Sequence, residues 1–352
     1  MNDPWNIHKI SSSISNSQSF QLHIQGHEFI PTSIHVFFPS GARKVLKNRK
    51  ELGAFYLGQD MLDAAVMSAY YADISCFSIV VQRIGKDIQI IHVEEKKETR
   101  TCVNGNLSNN TSLIGADLEV MARRKNGPFI SFPLGNGYDN KIGADRALIR
   151  QGTSFSQPII ELRADPKKSG KELHEEFMFL KKELESRADK NNLLIVSEEN
   201  PTGRFFLGGH FHVSNATPTY RKISLLDSLL TLPIASITKL KKPDRRSLYG
   251  KLGAVRLNRF KGFEYRSLPS WYHFIEGGEP FFTWVETLLF NSGLPKINLA
   301  ERTIHAYYEG DHSTLKEEVY QLFTYARNFL TKKEEVNMEN WIIWLEKNEE
   351  ID

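Results

Sequence analysis

The sequence predicts an α+β protein in two parts, a smaller module followed by short strands and then helices. Three observations carry this. Two β-branched and aromatic runs, Cys76–Ile84 and residues 87–93, are separated only by Gly85-Lys86, which suits a tight hairpin. From Leu113 onward, short apolar runs alternate with Gly- and Asn-rich loops. Residues 171–188 form an amphipathic helical pattern, and residues from 279 to the end are helical in texture.

Taken in order, residues 1–108 read as a smaller α+β module. Its helix is expected over residues 60–71, where Leu62, Val66 and Ala69 share a face. Residues 96–110, rich in charge, Asn and Ser, read as a linker. The larger part, 109–352, holds its informative motifs within 113–272 and a helical portion over 275–352. In the 171–188 helix, Leu173, Phe177, Leu180 and Leu184 recur at helical spacing. Residues 225–232 read as a buried helix that Pro233 should end or kink. Residues 315–330 give the clearest C-terminal helix, and Trp271 to Phe274 read as core packing.

The 352 residues exceed what a single compact core needs. A net charge of +3 favours no class of partner, and the basic run Lys239, Lys241, Lys242, Arg245, Arg246 reads as a solvated loop rather than a nucleic-acid surface. Arg245 in particular is expected at the surface. Cys76 and Cys102 lack metal-type spacing and argue against a disulfide framework. No apolar run approaches the roughly 20 residues of a membrane span, and the polar, Ser-rich start does not resemble a signal peptide. A cytoplasmic protein is expected. Gly135-x-Gly137 lacks the remainder of any nucleotide-binding fingerprint and reads as a loop.

Four short segments share one unusual feature: two catalytic-type side chains at i and i+2 within an apolar strand, hence on one face. They are Asp117-Leu118-Glu119, Glu161-Leu162-Arg163, His210-Phe211-His212 and Glu264-Tyr265-Arg266. Each has an ordinary reading alone, since half-buried strands alternate apolar and polar residues and a Glu-x-Arg strand is usually a solvated face with a weak ion pair. Together they differ from solvated faces, which also carry Lys, Thr, Ser and Gln. If the strands are neighbours, one face carries three Glu, one Asp, two His and two Arg. Burying so much charge requires compensating cations and an anion. Carboxylates with occasional imidazole suit Mg²⁺ or Mn²⁺. Arginines suit phosphate oxygens, and the combination suits phosphoryl transfer from a nucleotide. Arg246, Lys251 and Arg256, with glycines between them, fall close enough to the Glu264 strand to reach phosphate.

The order Gly-x-Asp-x-Glu, Glu-Leu-Arg, Gly-Gly-His-x-His, Leu226-Asp227, Arg-x-x-Tyr-Gly-x-x-Gly (246–253) and Glu-Tyr-Arg-x-x-Pro-Ser (264–270) resembles the phage-type carboxylate–amine ligases, or amidoligases. These are similar in fold to glutamine synthetase and γ-glutamylcysteine synthetase. The resemblance spans residues 113–272. It implies a curled antiparallel sheet, a half-barrel flanked by helices, whose inner face binds ATP and Mg²⁺ or Mn²⁺. Carried across, Glu119, Glu161, His210 and Glu264 are the implied metal ligands, with Asp117 a ligand or a group supporting one. His212, Lys251 and Arg246 are implied on the nucleotide. Arg266 and Arg256 are implied on the transferring phosphoryl group, and Arg163 on the acid substrate or a phosphate. The family often has Pro where Leu118 stands, and Arg146 stands where a small residue is expected, which leaves any loop role of Asp145 open.

The implied reaction joins a carboxylate to an amine through an acyl phosphate, in the cytoplasm of the host if the gene is a phage's. The acid and amine are unspecified, oligomerisation is compatible with the sequence, and neither a membrane nor a nucleic acid is an expected partner. Two other readings stand beside it. One is a hydrolase or oxygenase binding Zn or Fe through His210, His212 and a Glu, which leaves the arginines without a role. The other is a binding protein that kept the fold without the chemistry.

Overall fold

The computed structural model describes residues 19–97, 111–131, 141–145, 147–151, 154–239, 245–291 and 293–349. Arg146, Cys102, Gly135-x-Gly137, Lys241, Lys242 and most of the expected linker lie outside them. The described chain is mixed α+β with antiparallel sheets and falls into two compact units. Among the described residues, no helix is long and apolar enough to cross a membrane.

The smaller unit comprises residues 19–97 with Pro218–Tyr220. It contains β1 (Phe20–His27), β2 (Ile30–Phe37), β3 (Arg43–Leu46), α1 (Gly58–Tyr71), β4 (Cys76–Ile84) and β5 (Asp87–Glu95). The sheet order is β3-β2-β1-β4-β5. The hairpin at Gly85-Lys86 forms as its sequence demands: Ile84 pairs with Asp87, and Gly85 takes a φ of 63° that a glycine adopts without strain. Leu62, Val66 and Ala69 of α1 are buried, as their spacing requires. β1 and β2 were not foreseen, although Phe20, Leu22 and Ile24 alternate and are buried.

The larger unit centres on an eight-stranded sheet. Its strands are β6 (Ile114–Arg124), β7 (Phe129–Ile130), β8 (Ile142–Ala144), β11 (Ile159–Lys167), β12 (Leu193–Val196), β13 (Gly209–Val213), β14 (Val255–Leu257) and β15 (Phe263–Tyr265). β9 (Ile149–Gln151) and β10 (Ser154–Ser156) form a separate hairpin. The main path runs β14-β15-β13-β6-β11-β8, with β12 and β7 paired to the far end of β6. It has two edges, so it is not a closed barrel.

One face of this sheet is apolar. Leu118, Val120, Leu162 and Phe211 are buried there, and Trp271 stacks on Phe211 with centroids 5.6 Å apart. Helix α2 (Gly170–Lys190) covers this layer with Leu173, Phe177, Leu180 and Leu184, all fully buried. Its start is fixed by Ser169, whose hydroxyl accepts from the Glu172 N–H.

The buried helix of the sequence reading is longer than expected. α3 (Tyr220–Leu226) passes through a π-helical turn over Asp227–Thr231 into α4 (Leu232–Ile237). Pro233 therefore does not end it. The wide turn precedes the proline, which enters at the first positions of α4, where its missing N–H costs little. The remaining helices are α5 (Glu279–Glu286), α6 (Glu301–Glu309), α7 (His312–Arg327) and α8 (Lys332–Glu349).

Candidate functional site

Strand pairing brings the four i, i+2 segments onto one face. Glu161 stands opposite Glu119, and Arg163 opposite Asp117. Asp117 also faces His210, while His212 faces both Gly115 and Glu264. Arg256 faces Glu264 from β14. Directly opposed residues point the same way, so these groups form a continuous polar surface on the side away from α2.

The surface is polarised. At one corner, Glu264 is buried yet ion-paired with both Arg256 and Arg266. Arg256 Nε donates to Glu264 Oε2 at 2.7 Å, Arg266 pairs with the other oxygen, and His210 Nδ1 lies 3.5 Å from that oxygen. Towards the other corner, Glu119, Asp145 and Glu161 each offer an oxygen within 4.8 Å of the others. Asp117 and His212 lie between, with His212 Nε2 2.8 Å from Asp117 Oδ2.

Titration follows from this layout. Burial pushes the Glu119 carboxyl up to about 7, partly opposed by the charge of Arg245 and the Gly208 N–H, which donates to Glu119 Oε2 at 2.8 Å. Burial pushes Glu161 up to about 7 as well, reinforced by Asp117 and resisted by its pairing with Arg163. Burial holds His210 well below the usual histidine value, and Arg266 and Arg245 depress it further, so its imidazole is neutral. Burial also pulls on His212, but the hydrogen bond and charge of Asp117 outweigh it and raise its pKa.

Asp145 is the member that the sequence reading left open. It follows β8, whose Gly143 stands opposite Glu161, so Asp145 continues the same face two residues on. Its N–H donates to the Ile159 carbonyl at 2.9 Å, and its Oδ2 accepts from the Ala147 N–H at 3.1 Å. The available signal was the parity of Gly143-Ala144-Asp145, too short to declare a strand.

Two expectations need correction. Arg246 is buried away from the polar face. Its guanidinium donates to the carbonyls of Tyr307, Ala235 and Thr238 and lies over the Tyr307 ring, so it holds the helices together rather than awaiting phosphate. Arg245, expected at the surface, is only 2% exposed and donates to the carbonyls of Arg266 and Ser267. It supports the segment that follows Glu264. Lys251 has an exposed side chain, while its carbonyl accepts from the Ser267 hydroxyl at 2.7 Å.

Other motif positions serve as scaffolding. A Cβ on Gly208 would stand 2.4 Å from the Arg245 guanidinium, and one on Gly209 would stand 1.9 Å from Trp271 Nε1. The Gly-Gly before the histidines is thus the space into which an arginine and a tryptophan fit. The Leu-Asp motif supplies Asp227, fully buried, which accepts from the Tyr265 hydroxyl at 2.6 Å and so anchors β15 from beneath.

The sequence profile of one family, described as "Phage phiEco32-like COOH.NH2 ligase-type 2", matches residues 114–348. No curated protein matches the chain.

Proposed function

Because the chain belongs to the phage phiEco32-like COOH.NH2 ligase-type 2 family, we propose that it joins a carboxylate to an amine with ATP and Mg²⁺, and that its open, antiparallel sheet is a half-barrel of the glutamine-synthetase kind. The observation that carries the reading is the polarised face: three carboxylates within 4.8 Å at one end and two arginines around Glu264 at the other.

The residues fit a divalent cation. Three half-buried carboxyls with pKa values raised by burial at two of them are strained for want of positive charge. An all-oxygen donor set suits Mg²⁺ or Mn²⁺ better than Zn or Fe. Glu119, Asp145 and Glu161 would hold one cation. Asp117, His210 and Glu264, implied as further ligands by the family resemblance, stand on neighbouring strands but are not gathered into such a cluster among the described residues. When bound, such cations neutralise charge on phosphate oxygens and on the reacting carboxylate.

The chain's own groups then have defined tasks. Arg256 and Arg266 bind phosphoryl oxygens in bidentate fashion, exchanging the Glu264 carboxylate for them. His212, whose pKa the hydrogen-bonded Asp117 raises, donates to a phosphate oxygen. Arg163, which pairs with Glu161 and donates to the Ala144 carbonyl at 3.2 Å, orients the acid. The acid's carboxylate oxygen attacks the γ-phosphorus as ADP leaves. The amine nitrogen then attacks the acyl carbon, and inorganic phosphate leaves. Lys251 reaches the nucleotide from the rim.

The test is Mg²⁺-dependent ADP release with pooled acids and pooled amines. Wild type should require both pools, and Glu119→Gln should abolish turnover. Turnover by Glu119→Gln at the wild-type rate contradicts the assignment. The hydrolase and oxygenase readings are less favoured, since the carboxylate cluster contains no histidine and the two arginines that pair with Glu264 would have no role in them.

A further inference from the structure

The polar face does not end at the carboxylates. One step further, a cavity of about 260 Å³ is lined by Met121, Phe129, Ile130, Pro158 and Phe205, with Ser131, Thr202 and Arg204 at its polar margin. Beneath it lie Met121, Ile159 and Leu207, all buried, with Ala147, Phe129 and Phe205 packed against them.

Each part of that apolar floor adjoins a member of the carboxylate cluster. Met121 is two residues beyond Glu119, on the same strand and face, and pairs with Ile159, which is two residues before Glu161. Two residues of strand span about 7 Å. Leu207 precedes Gly208, whose N–H binds Glu119. Ala147 donates its N–H to Asp145. A group held at the cluster therefore has this cavity as its immediate neighbour, while the arginines around Glu264 lie at the opposite corner.

Resting on the ligase reading, we propose that this cavity takes the apolar substituent of the carboxylate substrate, so that the preferred acid carries a ring or a branched hydrocarbon next to its reacting carboxylate. The volume suits one such group and falls below the roughly 300–1,000 Å³ of whole-ligand pockets. The Ser131 hydroxyl, buried and without a hydrogen-bond partner among the described residues, is available to a single heteroatom on that group. Arg204, stacked on Phe205 at 5.3 Å, places a positive charge at the exposed rim.

The test uses two fluorinated acids observed by ¹⁹F NMR with the full chain and Mg²⁺: 4-fluorophenylacetate and, as the short control, fluoroacetate. Variants Ser131→Leu, which fills the cavity, and Phe205→Ala, which opens it, are compared with wild type. 4-Fluorophenylacetate should bind more tightly than fluoroacetate, and each variant should weaken it about tenfold while leaving fluoroacetate unchanged. Absence of binding, binding indifferent to both variants, or displacement of the probe by adenosine overturns the proposal; the last gives the cavity to the nucleotide base. Hydroxamate formation with ATP and hydroxylamine separates the two readings. Hydroxamate from short acids without 4-fluorophenylacetate binding leaves the ligase and removes the cavity's role. Predicted binding with no hydroxamate from any acid keeps the cavity and removes the ligase.

Discussion

Glu119 and Glu161 face each other across β6 and β11, each offering an oxygen within 4.8 Å of the other. Both have folded pKa values near 7 against an ordinary value of 4.5. A carboxyl raised in this way holds its proton in the folded state where the unfolded chain has lost it. Folding therefore takes up protons between about pH 4.5 and 7. The contribution of these two carboxyls to the stability of the cation-free protein is fully present below that window and is lost as pH rises through it. Cation binding requires the carboxylates, so it moves in the opposite direction. Relative to the Glu119→Gln, Glu161→Gln double variant, wild type unfolded thermally without metal should lose melting temperature from pH 5 to 7.5. Titration with Mg²⁺ should show apparent affinity rising up to about tenfold per pH unit for each carboxyl that must lose its proton. A flat Mg²⁺ affinity across this range contradicts the placement of the cation at these two residues.

At the scale of the element, β13 and β15 are held from beneath by contacts that the reacting groups do not make. Tyr265 stands between Glu264 and Arg266 but points to the other face, where its hydroxyl meets Asp227 and Thr231, each at 2.6 Å. Tyr265→Phe leaves a fully buried carboxylate short of a donor and should lower stability by about 1–3 kcal/mol. Denaturant titration reads that loss directly, and an unchanged midpoint contradicts the anchoring role. Gly209→Ala drives a methyl into Trp271, at a comparable or larger cost by overpacking. The i, i+2 pairs were legible in the sequence because strand parity fixes which side chains share a face. Which strands are neighbours was not, because β6, β11, β13 and β15 are joined across long stretches of chain and their order is a tertiary fact. Asp145 escaped notice because β8 is only three residues long. Arg245 looked solvated and Arg246 looked free to meet a nucleotide because the carbonyls of Ser267 and Tyr307 that receive them lie on segments remote in sequence. The helix beyond Leu225 outran its proline because a π-helical turn precedes it, which no periodicity announces.

At the scale of the whole molecule, the chain divides into two compact units, each with its own sheet. The polar face lies entirely within the larger one. Compact units can unfold separately, so calorimetry should resolve two transitions. Mg²⁺ with a non-hydrolysable ATP analogue should raise only the transition of the larger unit, by mass action on the folded state. A single transition that moves as a whole contradicts this independence. The central claim concerns chemistry rather than stability: a phosphoryl group passes from ATP to the carboxylate before the amine is joined. The most direct measurement supplies ¹⁸O-labelled carboxylates with ATP, Mg²⁺ and hydroxylamine, then follows the label by mass spectrometry. One ¹⁸O per turnover should appear in inorganic phosphate. Label in AMP, or hydroxamate formed with unlabelled phosphate, would contradict the account.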